Sequence, residues 1–71
     1  MTIELTSEEK AAIVQQHIKN VAYSEYNVTL SLLEAQAVTS PNADLVESLN
    51  KQLQESIAKK QALQDELDSL A

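Results

Sequence analysis

His17 is the only histidine in the chain, and there is no cysteine. A nucleophilic triad would have to pair a Ser or Thr hydroxyl with that one imidazole. A nucleophile raised on a sharp turn also calls for glycine, and the sequence has none. The same deficit removes the glycine-rich loops that cradle phosphates. Paired-metal sites in helical bundles draw on Glu-x-x-His motifs from facing helices, and the residue three before His17 is Val14. The acidic residues Glu4, Glu8, Glu9, Asp65, Glu66 and Asp68 match no calcium-loop spacing, which in any case uses a glycine. No catalytic, cofactor-binding or metal-binding residue is expected, and the chain reads as a non-enzyme.

Composition narrows the partners. A formal net charge of −6 argues against a nucleic-acid backbone or an anionic membrane as ligand, because both reward Lys and Arg. An RNA-binding hairpin therefore ranks behind protein partners. Tyr23 and Tyr26 are the only aromatics, too few for a base-stacking surface. The opening residues Met1 to Leu5 lack the basic and apolar regions of a signal peptide, and no apolar run approaches the ~20 residues of a membrane span. A cytoplasmic location is expected.

The elements that must position these residues are legible from capping signals and one breaker. Thr6 and Glu9 have capping-box spacing, and Glu8 and Glu9 suit the positive end of a helix dipole. Nothing interrupts the helix until Thr39-Ser40-Pro41-Asn42, where Ser40 can cap a second helix with Pro41 in its first position. The expectation is one helical unit over residues 1–71: helix 1 at about 7–38, a turn at 39–42 and helix 2 at about 41–70. The fold class is all-α, an antiparallel two-helix hairpin of coiled-coil type. At 71 residues without a disulfide, it needs very regular packing or oligomerisation to be stable.

The two helices differ in their apolar faces. In helix 2, Leu45, Val46, Leu49, Leu53, Ile57, Leu63, Leu67 and Leu70 read as a single seam that one partner helix can cover. In helix 1, Val14, Ile18, Val21, Val28 and Leu32 form one stripe, and Ala22, Tyr26, Leu30, Leu33 and Ala37 form a second beside it. Together they are wider than one helix covers. The candidate interface is accordingly Val14, Ile18, Val21, Ala22, Tyr26, Leu30, Leu33 and Ala37. Glu25 interrupts the first stripe where an apolar residue is expected. If Val38 faces Pro41, numbers across the hairpin add to about 79, which sets Glu25 opposite Gln54 and within a turn of Lys51. Glu25 and Lys51 are thus candidates for fixing register or partner choice, the alternative being a Glu25 head group left in water at the seam's edge.

The stretch Glu8-Glu9-Lys10 through His17-Ile18-Lys19-Asn20-Val21, then Tyr23-Ser24-Glu25-Tyr26-Asn27 and Leu32-Leu33-Glu34-Ala35-Gln36-Ala37-Val38 before a proline turn, resembles small uncharacterised helical-hairpin proteins of large tailed phages of aquatic bacteria. That resemblance implies a phage accessory or virion-associated protein, sited in the host cytoplasm or the virion, with no catalytic residues to carry over. Two function classes follow. One is a structural or adaptor module that self-associates through helix 1, a dimer forming a four-helix bundle or a larger helical oligomer. The other is a regulatory hairpin that docks its apolar face on a larger host or viral protein.

Overall fold

Thr6 and Glu9 lock the start of the first helix. In the computed structural model, which describes residues 3–71, the Glu9 N–H donates to the Thr6 hydroxyl at 3.1 Å and the Thr6 N–H donates to the Glu9 carboxylate at 3.0 Å. This reciprocal cap occupies N–H groups that a helix start otherwise leaves without partners. The hydrogen bond from the Thr6 backbone, followed by that with its side chain, holds the Glu9 carboxyl below its ordinary pKa. Helix α1 runs Ser7–Gln36 and helix α2 runs Ala43–Leu70, and the two pack against each other as an antiparallel hairpin. Met1 and Thr2, which open the unit expected over 1–71, lie outside the described residues.

The turn is longer than the sequence predicts. Helix α1 stops at Gln36, and the Ala37 N–H is shared between Leu33 O at 3.0 Å and Glu34 O at 3.3 Å. Ala37, the C-cap, keeps right-handed helical backbone (φ −77°, ψ −15°), and the bends that begin there run on through residue 40. Ser40 does not cap α2, and Pro41 is not its first residue. The cap passes to Asn42, whose extended backbone (φ −77°, ψ 107°) is the conformation an N-cap takes. Its side-chain oxygen accepts from the N–H groups of Asp44 at 3.0 Å and Leu45 at 3.2 Å, two donors for one acceptor. Asn is at least as strong an N-cap as Ser, so the later site loses nothing. No described residue has positive φ, so the turn closes without glycine.

The hairpin seam follows a strict alternation of three and four. Ala11, Val14, Ile18, Val21, Glu25, Val28, Leu32 and Ala35 are the inward row of α1, and Val46, Leu49, Leu53, Ser56, Lys60, Leu63, Leu67 and Leu70 that of α2. Counting the two rows outward from the turn matches Ala35 with Val46, Leu32 with Leu49, Val28 with Leu53 and Glu25 with Ser56 by row order. The charge contact observed across the seam joins Glu25 to Lys60, whereas the midpoint of the turn set Gln54 opposite Glu25.

Leu45 and Ile57 fall outside this row and are exposed, so the seam expected for α2 is corrected: those two leave it, and Ser56 and Lys60 join it. The molecule measures 60 × 22 × 15 Å. Among the described residues, no helix is long and apolar enough to cross a membrane.

Candidate protein interface

The outer flank of α1 is where apolar chemistry meets solvent. Successive residues advance by about 100°, so Ala22, Tyr26, Leu30, Leu33 and Ala37 fall within an arc of about 80°, turned by roughly 120° from the inward row. All five are exposed, Tyr26 at 64% and Leu33 at 58%, values that leave most of each side chain in water. Val14, Ile18 and Val21 belong to the inward row and are half-buried against α2. The eight residues named as an interface therefore divide into three that close the hairpin and five that face outward.

Ile57 extends the outward patch onto the second helix. Ala22 directly follows Val21, and Ile57 directly follows Ser56, the corresponding inward positions of the two rows. In an antiparallel pair, residues so related flank the seam on the same side. They also share a level, between the Glu25–Ser56 and Val21–Lys60 layers. At 58% exposed, Ile57 is a large apolar side chain that the seam does not use. Continuing the three-four spacing from Leu49 and Leu53 leads to Ser56 and Lys60. The signal for an outward Ile57 was thus present in the sequence, masked by its hydrophobicity.

The middle of the seam is polar. Lys60 Nζ lies 2.7 Å from Glu25 Oε2, with 34% and 28% of the two side chains exposed, so water still reaches part of the pair. That oxygen is itself closed off from solvent and accepts no well-oriented hydrogen bond, which leaves the Lys60 ammonium as its compensation. Lys60, not Lys51, is the partner; Lys51 is exposed. Side chains on a helix lean toward its N-terminus, so in antiparallel neighbours Glu25 and Lys60 lean toward each other across adjacent layers. Ser56 faces this pair from α2 and is buried. Thr29, one turn along α1, returns its hydroxyl to Glu25 O at 2.9 Å and so satisfies itself within its own helix.

The remaining candidates build no site among the described residues. Asp65 accepts from Gln61 Nε2 and Asp68 from Gln64 Nε2, each at 2.9 Å, so these acids are tied to their own helix one turn back. Glu4, Glu8, Glu66 and His17 are exposed. Lys19 Nζ sits 5.9 Å from the centre of the Tyr23 ring, a surface cation–π contact at the edge of the outer patch. Among the described residues there is no pocket and no grouping of metal-binding side chains. No family model matches the chain, and no curated protein or solved structure is detectably similar to it.

Proposed function

We propose that this chain is a non-catalytic interaction module that self-associates through the outer flank of α1, two hairpins combining as a four-helix bundle. One observation carries the reading: Leu49, at 8% exposed, is the only buried apolar side chain among the described residues. A compact monomer of 7.8 kDa exposes roughly 4,400 Å² by the usual scaling with mass, whereas this hairpin exposes 5,599 Å². It buries about half of what its extended chain would expose, against about 60% for a compact domain of that size. Covering ~800 Å² per chain, as a standard protein interface does, brings the fraction to about 58%. The resemblance of residues 8–41 to small phage proteins supports an accessory or virion-associated role.

Sedimentation equilibrium at micromolar concentration tests this. Twice the chain mass is expected, with a melting temperature that rises with concentration. The mass of a single chain, with a cooperative melt independent of concentration, overturns it. A second reading, a regulatory hairpin that docks on a larger protein, draws on the Glu25–Lys60 pair, because a hairpin pinned internally can offer its outer patch ready-made.

A further inference from the structure

The outer stripe of α1 is a near palindrome: Ala22, Tyr26, Leu30, Leu33, Ala37 runs small, large, large, large, small in either direction. We infer that a second copy of this chain covers it through a two-fold, antiparallel α1–α1 contact with Leu30 at the axis, a geometry that rests on the self-association proposed above. In this register, Ala22 meets Ala37 of the second copy, Tyr26 meets its Leu33, and Leu30 meets its own mate. A two-fold interface uses the same patch on both subunits, so each large side chain must find space in a copy of its own surroundings. The alanines at both ends let the helices approach, and the three large residues between them interdigitate. Ile57, level with Ala22, then lies beside the turn of the second copy and adds α2 to the contact.

Charge selects the antiparallel direction. None of the five stripe residues is charged, while Glu4, Glu8, Glu9, Asp65, Glu66 and Asp68 gather toward the opposite end of the hairpin. A parallel pairing sets the six carboxylates of one copy beside the six of the other. The antiparallel pairing centred on Leu30 separates the two Glu8 positions by about 65 Å at 1.5 Å per residue. That is several times the ~8–10 Å over which salt screens such charges.

The absence of native cysteine makes disulfide trapping a clean test. Leu30→Cys, Ala22→Cys and Ala37→Cys are each placed at an exposed position, and helix content is checked by circular dichroism. Under mild oxidation, Leu30→Cys should convert to a covalent dimer. An equimolar mixture of Ala22→Cys with ¹⁵N-labelled Ala37→Cys should yield the mixed dimer, identified by mass, at least tenfold faster than either variant links to itself. Two Ala22 positions stand about 22 Å apart in this register, far beyond disulfide reach. Wild-type protein that sediments as a single chain overturns self-association and this geometry together. Wild-type dimer with an inert Leu30→Cys, or with Ala22→Cys linking readily to itself, overturns the geometry and leaves self-association standing.

Discussion

Helix α1 presents two faces with inverted chemistry. Its inward face carries a carboxylate, Glu25, in the middle of the hairpin seam, while its outer flank exposes Tyr26, Leu30 and Leu33 without a charge among them. A lone globular unit would distribute these groups the other way, since burying a charge costs free energy and exposing large apolar surface forgoes it. The difference teaches that apolarity and the hairpin seam do not coincide in this chain: the seam takes in a charge pair, and large apolar side chains are left on the outer flank.

Substitutions can break this division at several points. The largest effect is expected at Leu49, where Leu49→Asp sets an uncompensated charge in the most buried apolar site of the seam. The cost of several kcal/mol is comparable to the whole stability of so small a domain, and circular dichroism should show loss of helix. Leu53→Asp, one layer further along, should do the same. Leu33→Asp or Leu30→Asp should instead weaken association by about 3 kcal/mol, roughly a hundredfold in dissociation constant, while much of the helix signal remains. Sedimentation and circular dichroism on the same samples separate the two classes. If the α1 variants keep the native mass, the outer flank is not the contact.

The polar centre of the seam gives a sharper test of intermediate size. Lys60→Met strands the enclosed Glu25 oxygen and should lower stability by about 1–2 kcal/mol, less than the 3–5 of a fully buried pair because water reaches part of both side chains. Glu25→Leu combined with Lys60→Met should return stability to the native level or above it in urea denaturation at fixed protein concentration. Lys51→Met should change nothing beyond about 0.5 kcal/mol. A larger loss at Lys51 than at Lys60 would contradict the observed pairing.

Smaller effects concern the helix starts. Asn42→Ala should cost about 1 kcal/mol through the lost cap, whereas Ser40→Ala should be neutral within about 0.5 kcal/mol. Equal losses at the two positions would mean that the second helix begins elsewhere. Glu9 has a lowered folded-state pKa, so its contribution is present above the ordinary carboxylate range and fades as pH falls through the lowered value. Carboxyl titration followed by NMR should find Glu9 titrating below the ordinary glutamate value. Thr6→Ala should move it back toward that value.

Much of the fold was legible because local rules and the seam pattern agree. The Thr6–Glu9 cap and the antiparallel hairpin follow from residue type and spacing alone. The cap of α2 was misread because Ser40-Pro41 and Asn42 are both competent starts, and only the backbone path through the bends at 37–40 decides between them. The α2 seam was misread at Ile57 because adjacent helix positions differ by only 100°. Ranking by hydrophobicity favoured Ile57 over Ser56 and Lys60, where the spacing from Leu49 and Leu53 pointed to the polar residues. Lys51 follows from counting across the midpoint of the turn, whereas the contact with Glu25 is made by Lys60. The outer stripe Ala22 to Ala37 needed no partner geometry to be seen, since its five residues share a face by spacing alone.

The 60 × 22 × 15 Å envelope also governs how this molecule moves through solution. A rod nearly three times as long as it is wide drags more water than a sphere of its mass and tumbles slowly end over end. On a sizing column, a single hairpin would elute ahead of globular standards of equal mass and could be taken for a pair. If two copies join antiparallel along α1 with Leu30 at the axis, the pair is longer still, so elution volume would overstate the number of chains in either state.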